Sequence, residues 1–437
     1  MSALPASARR GYALGSVATG TFGTVPGLLL LPYLTERLGV AAGVAGLLVT
    51  LPKAWDVLLN PVAGRISDRS RHPSGPRRPF LLGAGLALAV SFALIFAGPA
   101  SPPALAGAWV AVAFLLAASA YAFFQVPYVA MPAEITDDYA ERTRLMTWRV
   151  AVLALAILVS GASAPLVRDA VGPERGYLVM GVVIALVIAA GAVGAWWGTR
   201  RAPVGRVVAA GGTFREQLTV AGRDRDFRSL LSAFVLQALA TGAMLAGVDY
   251  VSRHVLRDPG ASTLLFVAFV GPALLVTPLW QRVGARHGKL RGYVAASLLL
   301  ALGALVLVAA RGLPAGVVYA AVAVVGVGYA GAQMFPLAML PDVAARDAAR
   351  SGENRTGVLT GVWTAGETLG LALGPGLYGL VLAVGGYRSS TGGTVQQPDS
   401  AVTAIALGFS LVPAVLVLVS LLLLRGYRDR DGRTSDA

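Results

Sequence analysis

The 437 residues are 56% hydrophobic and only 13% charged, about half the charged share of a soluble globular domain, which excludes a soluble enzyme or scaffold. A net charge of +14 would suit a nucleic-acid binder, but the basic residues fall in short segments between apolar runs, where a membrane protein keeps them. No cysteine is present, so disulfide frameworks and thiol chemistry are excluded as well.

The opening residues, MSALPASARR, lack the apolar core of a cleaved leader, and Arg9 and Arg10 are expected to hold this end in the cytoplasm. Apolar runs long enough to cross a ~30 Å hydrocarbon core then follow. Twelve are read, at 12–36, 41–66, 80–99, 104–132, 145–167, 175–198, 229–252, 261–281, 292–310, 315–340, 357–384 and 400–424. The largest break between them, 199–228, is polar and basic and contains Gly and Pro. It gives an N-terminal six-helix half over 1–198, a cytoplasmic central loop, and a C-terminal six-helix half over 229–437 ending in a short cytoplasmic tail. With both termini inside, the cytoplasmic segments hold 27 of the 36 basic residues and the outer loops 7, an asymmetry that predicts the orientation. The 53 glycines suit helices that approach closely in a bilayer.

Within the second run, Lys53, Asp56 and Asn60 share one helix face, at spacings of three and four residues. An ionised carboxylate near mid-membrane costs roughly 2.5–3.5 kcal/mol, so Asp56 is expected to face a cavity or the bundle interior. It is read as a proton or cation ligand, with Asn60 supplying an amide oxygen; the alternative is a Lys53–Asp56 ion pair that only packs the helix. Further along, Gln125 can donate and accept, and Arg149 offers a forked donor or else a snorkelling side chain. Gln333, Glu367 and Thr368 place further polar groups in the tenth and eleventh runs, and Asp249 closes the seventh as an interfacial anchor. The three histidines are scattered and make no metal spacing. No catalytic constellation or phosphate loop appears, so no catalytic residue, metal site or bound cofactor is expected.

The two halves repeat one another. Pro127-Tyr-Val-Ala-Met-Pro132-Ala-Glu134, followed by Glu141-Arg142-Thr143, matches Pro336-Leu-Ala-Met-Leu-Pro341-Asp342, followed by Glu353-Asn354-Arg355-Thr356. A weaker pair joins Pro61, Gly64 and Asp68-Arg69 to Pro278, Gly284, Arg286 and Lys289. Parallel six-span halves follow, related by an axis along the membrane normal.

At Gly64-Arg-Ile-Ser-Asp68-Arg69 the chain resembles the major facilitator superfamily. Lys53-Ala-Trp55-Asp56, Asn60-Pro61, Pro127, Arg149, Met339-Leu-Pro341-Asp342 and Trp363-Thr-Ala-Gly-Glu367 make it similar, over about residues 11 to 427, to the glycoside–pentoside–hexuronide:cation symporters. The resemblance implies an all-α polytopic membrane protein with the major facilitator fold, in a bacterial-type plasma membrane, working as a monomer. It implies uptake of a sugar or glycoside with H+ or Na+, coupled at Asp56, Asn60 and Lys53. Substrate would meet Arg149, Gln125, Glu367, Thr368, Gln333 and the position of Gly20. Gly64, Asp68, Arg69, Glu134, Arg142, Asp342, Glu353 and Arg355 would gate access by charge pairing between the halves and across the loops. Departures are visible: Asn60 replaces a second acidic residue, Gly20 and Gln125 replace aspartates, and Thr368 replaces a lysine. One carboxylate plus an amide is a thin sodium site, which moves the expectation toward protons. The apolar Gly20, Leu59 and Val129 keep open an exporter of hydrophobic metabolites, and a non-transporting membrane protein is a further alternative.

Overall fold

The computed structural model describes residues 5–70, 72, 75, 77–136, 138–200, 202, 224–351, 356–392 and 395–427. Among them are twelve helices long and apolar enough to cross a membrane: α1 Ser7–Arg37, α2 Ala42–Arg69, α3 Arg78–Ile95, α4 Pro103–Ala130, α5 Glu141–Val171, α6 Gly176–Thr199, α7 Arg225–Val255, α8 Ala261–His287, α9 Lys289–Gly312, α10 Ala315–Arg350, α11 Val358–Val384 and α12 Asp399–Leu424. Each expected run is present. Several extend further than hydropathy predicts, α7 and α10 among them. Asp224 caps α7 by accepting the Phe227 N–H at 2.8 Å, so that helix begins ahead of residue 229. The tenth helix continues past Pro341 to Arg350, because its last turns are charged yet still helical. Ser410 interrupts α12 with non-helical backbone angles, and Pro413 then lacks the N–H that would bond back across the break.

Two compact units result, Met1–Ala209 with Arg388–Gln396, and Ala210–Tyr387 with Gln397–Ala437. In the first, α1 is the most buried helix and packs on α5 and α6, while α3 packs on α4 and α6, and α2 on α4. Gly11 and Gly198 let α1 meet α6 backbone to backbone: a Cβ on either would lie 2.3 Å from the Cα of the other. Tyr12 stacks on Tyr128 of α4 at 4.8 Å between centroids, and the Tyr128 hydroxyl donates to the Tyr12 carbonyl at 2.9 Å and lies 2.9 Å from Ser16 Oγ. The segment Arg388–Gln396 belongs to this unit; its Ser390 and Gly392 N–H groups donate to the Thr35 and Glu36 carbonyls at 2.8 and 3.0 Å.

The second unit repeats the pattern. Here α7 is the most buried helix and packs on α11 and α12, with α9 on α10 and α12, and α8 on α10. A Cβ on Gly374 of α11 would lie 2.3 Å from the Gly242 backbone of α7. Buried Gln237 ties three helices together, donating to Ser297 Oγ and Ser420 Oγ at 2.9 Å each. Even an irregularity recurs: α1 and α7 both end in a π-helical turn, Tyr33–Arg37 and Val251–Val255. Each turn is followed by a residue in the left-handed region, Gly39 at φ 69° and Arg257 at φ 57°.

Backbone-to-backbone packing makes a testable demand. Gly374→Val should cost about 1–3 kcal/mol through overpacking and lower the thermal melting point of the purified protein. Gly83→Ala, whose Cβ would meet nothing within 4 Å, should leave the melting point unchanged.

Candidate functional site

In the first unit, α2 carries Asp56 and turns it inward. The neighbouring Trp55 donates its indole N–H to Ser119 Oγ of α4 at 3.1 Å, which fixes the rotation of α2. Asp56 is 8% exposed. Its Oδ1 and the Asn60 Oδ1 are buried without a hydrogen-bond partner among the described residues. Lys53 and Asp56 feel one another's charge but form no ion pair within the described set, so simple pairing does not account for Asp56. The Tyr121 hydroxyl of α4 lies in the field of both Asp56 and Arg149, with its ring 4.7 Å from that of Phe22. Arg149 of α5 reaches the Tyr128 ring at 5.5 Å, and its Nε has no partner. One turn beyond Tyr121 on the same face, Gln125 keeps a buried, unpartnered Oε1. Buried polar atoms are normally satisfied, so this set is equipped for an incoming ion or polar solute.

Gly20 of α1 lies buried against α5. A Cβ there would lie 3.1 Å from the Leu153 carbonyl of α5, so the residue serves the close approach of α1 to α5.

In the second unit the expected residues Glu367 and Gln333 come together. Gln333 donates to the Tyr329 hydroxyl at 3.0 Å and is a neighbour of Glu367. Thr368 is half-buried and sits about 100° further round α11.

Three of the residues expected to gate, Asp68, Glu134 and Asp342, form ion pairs with a cation of their own unit. Arg77 bridges Asp68 at 2.9 Å and Glu134 at 2.5 Å, with Arg77 and Glu134 both buried. In the second unit Lys289 pairs with Asp342 at 2.5 Å and donates to the Ala338 carbonyl at 3.1 Å. Both units therefore join a cation at the start of their third helix to a carboxylate near the end of their fourth. Arg142 donates to the Thr136 carbonyl at 3.1 Å, and Arg69 is exposed. Gly64 has only an ordinary neighbour, Val126 at 3.6 Å from a built Cβ. Glu353 and Arg355 lie outside the described residues.

Arg77, Tyr121 and Tyr329 escape the sequence reading. A usable signal exists for the tyrosines: Tyr-x-x-x-Gln occurs on α4 as Tyr121 and Gln125, and again on α10 as Tyr329 and Gln333.

The family described as MFS/sugar transport protein matches residues 11–428. The chain belongs to that family. The putative glycoside/cation symporter YagG of Escherichia coli (strain K12) is 25% identical over 99% of this chain and 94% of its own length. The glucuronide carrier protein homolog of the same organism is 27% identical, covering 96% of this chain and 92% of that protein. These relatives bear out the resemblance to the glycoside–pentoside–hexuronide:cation symporters. A bacterial homologue of the human lysosomal transporter Spinster, solved inward-facing, matches with a TM-score of 0.67 at 14% identity, over 96% of this chain and 95% of that one. The nucleoside transporter NupG matches with a TM-score of 0.67 at 12% identity, over 96% of this chain and all of that one. The major facilitator fold is thus established, and the protein is a multi-pass membrane transporter rather than an enzyme.

The transporter's Arg77 cluster yields a prediction with a pH signature. Arg77→Gln leaves two carboxylates without their cation and should cost about 3–5 kcal/mol, whereas exposed Arg69→Gln should change stability by less than about 0.5 kcal/mol. Burial already pushes the Glu134 carboxyl up, against the downward pull of Arg77. In Arg77→Gln the folded state therefore binds that proton more tightly than the unfolded chain does. Stability should recover as pH falls below the raised folded value and be lost as pH rises through it, which thermal melts at several pH values would read.

Proposed function

We propose that this transporter takes up a sugar or glycoside by proton symport, with Asp56 as the coupling carboxyl. The observation that carries this reading is the environment of Asp56: buried, unpaired with Lys53, and with an oxygen that no described residue satisfies. A carboxyl in that setting is matched by binding a proton, whereas sodium would need several more oxygen ligands than Asp56 and Asn60 supply. Arg149, Gln125 and Tyr121 are the solute-recognising groups of the first unit, and Gln333, Glu367 and Thr368 those of the second. Arg149 has no acidic partner among the described residues, and a guanidinium fork matches a carboxylate or sulfonate, so an acidic sugar fits best. Relatives named as a glucuronide carrier homolog and a putative sulfoquinovose importer agree with that class. Transport would proceed by alternating access, as in other transporters built of repeated halves. The protein would act as a monomer in the bacterial inner membrane with both termini in the cytoplasm.

One observation favours export of a hydrophobic metabolite instead. A pocket in the second unit, lined by Met244, Leu265, Phe266, Phe269, Val322 and Phe409, is almost wholly apolar.

Proteoliposomes with an imposed pH gradient separate the two readings. Wild-type protein should accumulate glucuronides or sulfonated sugars inside vesicles whose lumen is alkaline. Asp56→Asn should still exchange solute but no longer concentrate it. Accumulation by Asp56→Asn at the wild-type level would refute the coupling role. Transport restricted to apolar solutes, moving against the proton gradient, would establish the exporter.

A further inference from the structure

Four of the seven tryptophans are exposed, and they differ in what their indole N–H groups do. Trp55 and Trp109 donate to Ser119 Oγ and to the Leu94 carbonyl at 3.1 and 2.8 Å. Trp148 of α5 and Trp197 of α6 are each 56% exposed, and their N–H groups meet no acceptor among the described residues. Each has an arginine one turn nearer the helix end on the same face: Arg144 lies four residues before Trp148, and Arg200 three residues after Trp197. The Arg200 guanidinium sits over the Trp197 ring at 3.5 Å, and Arg144 is held by Glu141 at 3.0 Å. In the other direction both faces continue with exposed apolar side chains, Leu155 and Val159 on α5 and Val193 and Leu186 on α6.

Helix α1 brings the two faces together. It touches α6 where Gly11 meets Gly198. It touches α5 where Arg9 meets Glu141 at 3.8 Å and where Gly20 meets Leu153. At about 100° per residue Arg10 lies between those two sides; it is exposed and makes no ion pair among the described residues. Followed round in their right-handed sense, the Arg144–Trp148 face of α5 and the Arg200–Trp197 face of α6 turn to the same side as Arg10. The charge there is positive: Arg9, Arg10, Arg142, Arg144 and Arg200 outnumber Asp138 and Glu141 among the described residues of the three helix ends. Cations at the helix end, free indole N–H groups about 4.5–6 Å deeper and apolar side chains beyond them follow the layers of a phospholipid: phosphate, ester carbonyls, acyl chains. Tryptophan suits the middle layer because its ring is apolar and its N–H donates.

We propose that this corner of the first unit binds an anionic phospholipid, with Arg10, Arg144 and Arg200 taking the phosphate and the indole N–H groups of Trp148 and Trp197 donating to the ester carbonyls. The exposed apolar faces of α5 and α6 carry the acyl chains. A guanidinium matches a phosphate in geometry as well as charge, and Arg200 is already fixed by the ring beneath it. With both termini in the cytoplasm, this lipid would belong to the inner leaflet.

Quenching of tryptophan fluorescence tests this on the full-length protein in nanodiscs, with brominated phosphatidylglycerol compared with brominated phosphatidylcholine at equal mole fraction. Wild-type protein should be quenched at a lower fraction of phosphatidylglycerol. Arg10→Gln and Arg200→Gln should each raise the fraction needed by about fivefold. Trp148→Phe/Trp197→Phe should abolish the difference between the two lipids. Melting points at the wild-type value report that these variants are folded. Equal quenching of wild-type protein by both lipids overturns the proposal, as does a difference that survives loss of the two tryptophans. Arg282→Gln/Arg286→Gln/Arg291→Gln, which removes exposed charge from the second unit, should keep the wild-type preference. If it loses the preference as fully as the first-unit variants do, net charge alone draws the lipid and the assigned site is refuted.

Discussion

A charge placed in hydrocarbon has to be matched, and much of this structure is organised by how that is done. At the helix ends the matching is by opposite charge: Arg77 with Asp68 and Glu134 in one unit, Lys289 with Asp342 in the other. Inside the spans a different solution is used. Asp56 is buried with a carboxyl oxygen that no described residue satisfies. The first arrangement locks a charge in place. The second leaves the match to be supplied from outside the described protein.

Rigid packing makes the second arrangement possible. Where Gly11 meets Gly198 and Gly374 meets Gly242, two helix backbones touch without side chains between them. Helix pairs fixed so closely behave as one body. The aromatic stack of Tyr12 on Tyr128 and the Gln237 link from α7 to α9 and α12 add directional hydrogen bonds to that body. Polar side chains mounted on such a frame keep their spacing, and Tyr121 can thus lie between the fields of Asp56 and Arg149.

Most of the fold was legible in the sequence, because apolar runs, positive loops and a repeated Pro-Glu pattern are one-dimensional signals. Helix ends were less so: α10 runs ten residues past its expected end, to Arg350, since hydropathy falls where the backbone hydrogen bonds do not. Asp56, Gln125, Arg149, Gln333 and Glu367 stood out as polar atoms in apolar surroundings. Their tyrosine partners did not, because tyrosine counts as hydrophobic and its hydroxyl carries no charge. The partnership of Arg77 with Glu134 joins residues 57 apart in the chain, and no local pattern announces it. The contact that Gly20 makes with α5 is likewise visible only in three dimensions.

The π-helical turns that end α1 and α7 carry a historical implication. An extra residue squeezed into a helix brings no stability of its own, yet the same irregularity, with the same left-handed residue after it, stands at matching places in both units. Duplication of an ancestral six-helix gene leaves such a mark, because both copies inherit the defect along with the fold. Gly39 suits the backbone there, and Arg257 adopts the same backbone with a Cβ to accommodate. The shape of the main chain is thus common to both units although the side chain at that point is not.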